Sequence, residues 1–275
     1  MTHSPDAPDT APVLEFQDLR VDFELASSTV HAVRGVNLSV AAGETLAVVG
    51  ESGSGKSATA LSAMRLNPEP PCVYAGGRVL LDGRDVLALP ERELRKVRGA
   101  GISMVFQDPM TSLDPLQRVG AQVAEALRLH GDHSRAQARL AALTALDEVG
   151  IPDPEHRYRQ YPHELSGGLR QRVMIASALV ARPRVLIADE PTTALDVTVQ
   201  RQILELLVTL QRRHGMAVLL ITHDLGVVAE TADRVAVMRH GEVVETGDVD
   251  QVFARPTAQY TRDLLAATPR LEPAP

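Results

Sequence analysis

The stretch that most constrains the fold of this chain is an eight-residue loop, Gly50-Glu51-Ser52-Gly53-Ser54-Gly55-Lys56-Ser57. An apolar, β-branched run at 45–49 precedes it and predicts a strand, and residues 58–64 follow a helical pattern. Glycines adopt backbone conformations that a Cβ forbids, so such a loop can turn its N–H groups inward around an anion. The spacing therefore predicts a loop that wraps the phosphates of a nucleoside triphosphate at the start of a helix.

Two side chains of the loop add chemistry to this prediction. Lys56 carries a positive charge to the outer phosphates, and the hydroxyl of Ser57 suits a Mg²⁺ ion that bridges them. The chain contains only two lysines, Lys56 and Lys96, so the pattern rarely arises by chance in this composition. The alternative interpretation, a glycine-rich turn before a helix, is disfavoured because the strand and helix patterns flank the loop on both sides.

Composition narrows the classes of function. The net charge of −7 argues against general nucleic-acid binding, and 3% aromatic residues with no Trp argue against a base-stacking surface. The single cysteine, Cys72, excludes an internal disulfide, a zinc finger and an all-cysteine iron–sulfur cluster, and it fits a reducing cytosol. Residues 1–12 predict a disordered tail rather than a signal peptide, and the longest apolar stretch, 173–181, is too short to span a membrane. We therefore expect any role at a membrane to depend on partner proteins.

Hydrophobic patterns predict strands that alternate with helices, and hence an α/β fold whose largely parallel sheet is covered on both faces. Strands are predicted at 13–23, 30–40, 45–49, 185–188 and 217–221, with hairpins at 77–85 and 235–245 and a strand that ends at 105–109. Helices are predicted at 169–180 and between Asp196 and Gly215, the latter with an inner face of Ile203, Leu206, Leu207 and Leu210.

The segment from about 110 to 165 reads as a helical insertion. One helix has a face of Val119, Val123, Ala126 and Leu127. A second begins at a capping box of Ser134 with Gln137 and carries, at helical spacing, Leu140, Leu143, Leu146 and Val149.

Polar residues follow several of the predicted parallel strands, whose carboxyl ends line the ligand crevice in open α/β sheets. Asp189 suits a Mg²⁺-coordinating carboxylate, and Glu190 suits a base that takes a proton from an attacking water. Gln107 could reach the metal or the water, and His223 follows a further strand. Taken alone, the acidic pair could be a helix cap or a solvated turn, Gln107 an ordinary loop residue and His223 a buried histidine. The phosphate loop favours the functional interpretation.

A second glycine-containing stretch, Leu165-Ser166-Gly167-Gly168, precedes a predicted helix. Backbone N–H groups at a helix start bind anions, although this stretch alone could be a flexible hinge. One phosphate loop and a second anion-seeking helix in the same chain predict a composite site that another subunit completes.

Together these motifs resemble the nucleotide-binding domain of the ABC ATPase family, in order and spacing from about 13 to 247. Residues 50–57 match the Walker A loop, Gln107 the Q-loop and 165–168 the family signature. Residues 185–190 match Walker B with its catalytic glutamate, Ala194-Leu195-Asp196 the D-loop and His223 the switch histidine. The signature is followed by Leu169, whereas the family usually has Gln at this position. Similar apolar residues occur at this position in the peptide-importer branch.

The resemblance implies a P-loop NTPase fold with a mixed sheet core, an antiparallel β subdomain and an inserted helical subdomain at about 110–165, all within an ATPase domain at 13–250. It implies ATP and Mg²⁺ as cofactors, with Ser57, Gln107 and Asp189 at the metal and the whole loop 50–57 at ATP. Its catalytic residues would be Glu190, His223 and Gln107. Phe23 best matches the aromatic residue that stacks on adenine, and strand packing is the alternative role.

The resemblance also implies partners. Two ATPase subunits, alike or different, would pair head to tail, so that Ser166, Gly167 and Gly168 act on the partner's ATP and the D-loop residue Asp196 lies at the interface. Two membrane permease subunits would dock near Gln107 at the cytoplasmic face of the membrane. An extracytoplasmic solute-binding protein would act indirectly, and it would choose the solute together with the permease.

Residues 103–115, 169–176 and 255–265 are similar to the oligopeptide, dipeptide and nickel importer branch, whose short C-terminal element corresponds to 251–275 here. The branch implies an ATP-hydrolysing subunit that powers uptake of peptides, or of nickel or related small solutes. The alternative is a soluble ABC-type ATPase of cluster assembly or DNA repair. The C-terminal element argues against a cluster-assembly ATPase, and the lack of a long coiled-coil or zinc insertion argues against a DNA-repair ATPase.

Overall fold

The fold is that of a computed structural model, which describes residues 11–108, 112–193 and 195–267. Most of the predicted tail (1–10), the start of the predicted insertion (109–111), Ala194 of the D-loop and the end of the C-terminal element (268–275) lie outside these ranges.

The described strands form two sheets. The antiparallel sheet has the order β2-β1-β4-β5 and consists of β1 (Leu14–Leu25), β2 (Ser28–Val40), β4 (Cys72–Leu81) and β5 (Arg84–Asp85). The second sheet has the order β10-β9-β3-β8-β7-β6 and consists of β3 (Thr45–Val49), β6 (Ile102–Val105), β7 (Val185–Asp189), β8 (Ala217–Ile221), β9 (Arg234–Arg239) and β10 (Glu242–Asp248). Its neighbouring strands pair in parallel, except that β10 is antiparallel to β9. The predicted α/β fold with a mixed, largely parallel sheet is therefore confirmed.

Helices cover this second sheet. Between β3 and β6 the chain forms α1 (Lys56–Ser62) and α2 (Glu91–Val97). Between β6 and β7 the described residues form α3 (Val119–Arg128), α4 (Arg135–Glu148), α5 (Pro154–Tyr158), a 3-10 turn (Pro162–Glu164) and α6 (Gly167–Leu179). The remaining helices are α7 (Val197–His214), α8 (Leu225–Thr231), α9 (Val249–Ala254) and α10 (Gln259–Ala267). Among the described residues, no helix has the length and apolar content that crossing a bilayer requires.

Alternate residues of the central strands enter different cores. Ile187 and Leu219 pack with the antiparallel sheet and α1, whereas Leu186 and Leu220 pack with α3, α4, α6 and α7. A third cluster joins β3 and β9 to α8, α9 and α10. Burial on both faces explains the nearly continuous apolar runs of these strands.

The inner faces of two helices differ in detail from the predicted ones. The capping box of Ser134 and Gln137 is present, but Leu140 is 67% exposed. Residues three apart on a helix are about 300° apart, so each step drifts by about 60°, and Leu140 lies well off the face of Leu146. Alanines complete the inner face instead. In α7 the prediction omitted the buried Leu204, whereas the predicted Leu206 is partly buried and packs against the same core.

The single cysteine is a core residue. Cys72 is 5% exposed at the start of β4, and burial raises the pKa of its thiol to about 11. The thiol is therefore protonated near neutral pH and unreactive in the folded chain.

Candidate active site

The predicted site residues converge because β3, β8, β7 and β6 are consecutive neighbours in the parallel sheet. Their carboxyl ends open on one cavity of about 660 Å³. It is lined by Phe23, Val30, His31, Ala32, Arg34, Ser52, Gly53, Gly55, Lys56, Ser57, Ala58, Gln107, Asp189, Glu190, His223 and His240. Residues separated by more than a hundred positions thus meet at one crevice, as strand ends do in open α/β sheets.

The glycine-rich loop has the backbone that its sequence predicts. Gly50, Gly53 and Gly55 have φ angles of 151°, 78° and 102°. A Cβ at Gly55 would run into the carbonyl oxygen of Ala32 on β2, so this position requires glycine. The turn after β9 supports the loop from another side, since the N–H of Gly241 donates to the carbonyl of Ser54 at 2.9 Å.

Lys56 is the first residue of α1 and is only 8% exposed. Its ammonium group donates to the carbonyls of Gly50 at 2.8 Å and Glu51 at 2.9 Å. Burial lowers the pKa of Lys56, while the carboxylates of Glu190 and Asp189 oppose that shift. Most residues of the loop line the cavity, and the exceptions are Gly50, Glu51 and the buried Ser54.

Three neighbouring side chains fix the position of the Glu190 carboxylate. Its Oε2 accepts from Gln107 Nε2 at 2.8 Å and from the Thr193 hydroxyl at 2.9 Å, and its Oε1 lies 3.1 Å from His223 Nδ1. Burial favours the neutral acid, but the hydrogen bonds of His223 and Thr193 outweigh it and leave the pKa of Glu190 lowered. The group is therefore a carboxylate at neutral pH, aimed by three partners.

The backbone of Glu190 adds to this placement. Its φ is 47°, in the left-handed region, and its N–H donates to the carbonyl of Ile221 on β8 at 2.9 Å. A non-glycine residue in this region costs of the order of 1 kcal/mol and is concentrated at functional sites.

Asp189 and Ser57 place two oxygen donors next to each other. The Ser57 hydroxyl donates to Asp189 Oδ1 at 3.4 Å. Burial raises the pKa of Asp189, and the Ser57 hydrogen bond opposes that shift. Hydroxyl and carboxylate oxygens are ligands that Mg²⁺ prefers, so this donor set fits the predicted metal.

His223 is exposed at the site, and Phe23 lies between the core and the cavity. The side chain of His223 is 69% exposed, so its interpretation as a buried histidine is wrong. Phe23 on β1 is partly buried against the core and also lines the cavity, so its two interpretations are compatible.

The signature residues lie outside this cavity. Ser166 caps α6 and, like Gly167, is exposed. Asp196 caps α7, with its carboxylate accepting from the N–H of Val199 at 3.0 Å. The two helix starts adjoin, because a Cβ on Gly168 would lie 2.8 Å from Val199 Cγ1. Signature and D-loop therefore share one surface.

Three further side chains were not predicted from the sequence. Thr193 holds Glu190, and its position three residues further on is the only signal that could have found it. Buried Gln171 donates to the carbonyl of Pro191 at 2.6 Å and joins α6 to the loop after Glu190. Tyr260 on α10 accepts a hydrogen bond from the N–H of Glu51 at 3.2 Å, across a sequence separation that hides it.

Comparison with known proteins gives a consistent result. Residues 33–193 match the family model described as ABC transporter. The chain is 56% identical to the peptidoglycan transport ATP-binding protein YejF of Agrobacterium fabrum, over 96% of this chain and 48% of the relative, so it spans about half of that protein. It is 54% identical to the oligopeptide transport ATP-binding protein OppD of Bacillus subtilis, over 94% of this chain and 73% of the relative.

Solved structures agree with these relatives. The dimeric, post-hydrolysis structure of the ATP-binding cassette MJ0796 with ADP and Pi superposes with a TM-score of 0.76 at 30% identity, covering 86% of this chain and 98% of that one. The predictions of the fold, of ATP binding and of an ATPase are thereby confirmed. On its matched residues and its relatives, this chain belongs to the ABC transporter family.

Proposed function

We propose that this chain is the ATP-hydrolysing subunit of an importer that takes up peptides or peptide-like solutes through a partner permease. The relatives named for peptidoglycan and oligopeptide transport support the peptide class, and nickel or related small solutes are the second candidates. In this proposal the ATPase unit is 13–250, with a helical part at about 110–165 and a C-terminal element at 251–275.

The observation that carries the mechanism is the carboxylate of Glu190, held by Gln107, Thr193 and His223 in the same cavity as Lys56. A carboxylate with a lowered pKa is ionised at neutral pH and can accept the proton of the attacking water. Gln107 and His223, which flank it, orient the water and the γ-phosphate. Phosphoryl transfer demands little covalent chemistry from the protein, so this positioning supplies much of the rate.

Charge stabilisation completes the site. Lys56 and the N–H groups of the loop offset the charge that builds on the phosphate oxygens. Ser57, Asp189 and Gln107 would hold Mg²⁺, which neutralises the same charge when bound. Phe23, which lines the cavity, stacks on the adenine.

A second ATPase subunit completes the site from outside. Ser166 and Gly167 are exposed at the start of α6, and beside the D-loop the apolar Val197 is 81% exposed. A head-to-tail pair would cover this surface and bring Ser166, Gly167 and Gly168 to the partner's γ-phosphate. The dimeric assembly of the MJ0796 cassette supports this arrangement.

The permease docks on a groove next to Gln107. The groove has a volume of about 500 Å³ and lies between β6, α3 and α6, with Phe106, Leu113 and Met174 among its lining residues. Phe106 is 41% exposed and precedes Gln107, which holds Glu190. A segment of the permease in this groove can therefore act on Glu190 through Gln107. The same contact would hold the chain at the cytoplasmic face of the membrane.

The assigned base is tested by Glu190→Gln, which keeps the shape of the side chain and removes its basicity. We expect ATP binding to persist, turnover to fall by at least about 100-fold and the dimer to remain closed with ATP. Nucleotide binding, phosphate release and size-exclusion chromatography measure the three effects. Normal turnover in this variant would show that another group is the base.

Transport is tested separately from hydrolysis. Recovery of the tagged chain with a multi-span membrane permease, followed by uptake assays with peptides and with nickel, would support the importer. Recovery only with soluble scaffold proteins would defeat it and favour the alternative, a soluble ABC-type ATPase of cluster assembly or DNA repair.

A further inference from the structure

The C-terminal helix α10 contacts the phosphate loop directly. Tyr260 is 8% exposed, and its hydroxyl accepts a hydrogen bond from the N–H of Glu51 at 3.2 Å. Glu51 is the second residue of the loop, so this N–H is bound to α10 and is not one of the groups that surround a phosphate. The contact joins residues 209 positions apart, and the mechanism proposed above does not use it.

The same side chain touches a second support of the loop. The guanidinium of Arg239 lies over the Tyr260 ring, 4.7 Å from its centroid. Arg239 ends β9, and the turn that follows supplies the Gly241 N–H that donates to Ser54. Tyr260 therefore contacts the loop at Glu51 and packs against Arg239, which directly precedes the turn that holds the loop at Ser54.

Helix α10 is itself firmly anchored. The carboxylate of Glu245 on β10 accepts from the N–H of Thr257 at 2.7 Å, from its hydroxyl at 2.8 Å and from the N–H of Ala258 at 3.1 Å. Further along the helix, Leu264 and Leu265 pack against the core cluster that contains β3 and β9. The hydroxyl of Tyr260 thus projects from a fixed body.

We propose that Tyr260 is a positioning residue for nucleotide binding, which holds the first turn of the phosphate loop in its phosphate-accepting form. Glycine-rich loops lose much conformational freedom when they close around a ligand. A contact that fixes the loop beforehand removes part of that loss and raises affinity. The inference rests on the nucleotide site at 50–57 and is independent of the solute and of the permease.

The test is Tyr260→Phe, which removes only the hydroxyl. Losing one hydrogen bond to a backbone N–H should raise the dissociation constants of MgATP and MgADP by about 2- to 10-fold. The KM for ATP should rise by the same factor while kcat at saturating ATP stays nearly constant, because Glu190 and its partners are untouched. Fluorescent-nucleotide titration and steady-state hydrolysis measure these quantities, and thermal unfolding is recorded in parallel.

Tyr74→Phe is the matched control. Its hydroxyl accepts from Asn67 at 3.4 Å and lies near Ser62, at the far end of α1 from the loop. Nucleotide affinity should be unchanged in this variant. An unchanged dissociation constant in Tyr260→Phe, or an equal rise in both variants that follows a lower Tm, would overturn the proposal.

Lys56→Ala separates the two levels of the argument. Lost nucleotide binding in Lys56→Ala with normal binding in Tyr260→Phe would defeat the role of Tyr260 alone. Normal binding in Lys56→Ala would defeat the nucleotide site and the role of Tyr260 with it.

Discussion

Replacing Glu245 by glutamine removes one charge at the base of α10 and keeps the shape of the side chain. Burial alone would raise the pKa of Glu245, but the hydrogen bonds from Thr257 and Ala258 lower it from 4.5 to about 2. At 1.36 kcal/mol per pKa unit this shift corresponds to at most about 3 kcal/mol. The carboxylate is partly exposed, so we take roughly 1–2 kcal/mol after screening by solvent.

We therefore expect Glu245→Gln to lower the Tm by about 2–6 °C at pH 7.5. The pKa is depressed in the folded chain, so this stabilisation is complete above the unfolded value of 4.5 and is lost as the pH falls towards 2. The difference in Tm between wild type and variant should be constant from neutral pH down to about 5 and shrink at lower pH.

Thermal unfolding followed by circular dichroism between pH 7.5 and 3.5 measures this difference. Glu242→Gln, on the same strand and exposed, is the control and should stay within about 0.5 kcal/mol of wild type. An unchanged Tm for Glu245→Gln at neutral pH, or a difference that persists undiminished in acid, would refute the reasoning.

Two further predictions concern the active site. Thr193→Val removes one donor to Glu190, so kcat should fall by about 10-fold and the acidic limb of the pH–rate profile should move to higher pH, since that donor lowers the pKa of the base. A profile that keeps the wild-type acidic limb would contradict this role. Phe23→Ala should raise the dissociation constant of ATP by about 5-fold or more while Phe23→Tyr preserves it, because stacking on a base contributes about 1–3 kcal/mol. A lower Tm of Phe23→Ala with an unchanged affinity for ATP would show that Phe23 only packs in the core.

Local patterns were sufficient for much of this fold. The strand at Thr45–Val49 and the strand at Ala217–Ile221 have the predicted bounds, because short buried strands are marked by unbroken apolar runs. The capping box at Ser134 was also predictable, since it depends on residues three positions apart.

Contacts between distant residues were not predictable in this way. Leu140 has an apolar side chain but lies on the exposed side of α4, because steps of three residues drift around the helix, and alanines occupy the buried side instead. Nothing near Glu51 in the sequence indicates Tyr260, and the hydrogen bond of Gln171 depends on how α6 packs against the sheet. Such pairs follow from tertiary packing, which overrides local preference.

The bond between Gln171 and Pro191 has a consequence for the kinetics of a paired enzyme. In the head-to-tail pair proposed above, helix α6 would present Ser166 to the partner's nucleotide, while the same helix holds the segment that follows this chain's own Glu190. A movement of α6 against the partner's ATP would therefore also shift the segment next to this chain's own base, Glu190. We expect the two sites to hydrolyse ATP with positive cooperativity, measured as a Hill coefficient above one for ATP. Replacing Gln171 by leucine (Gln171→Leu) should bring that coefficient towards one.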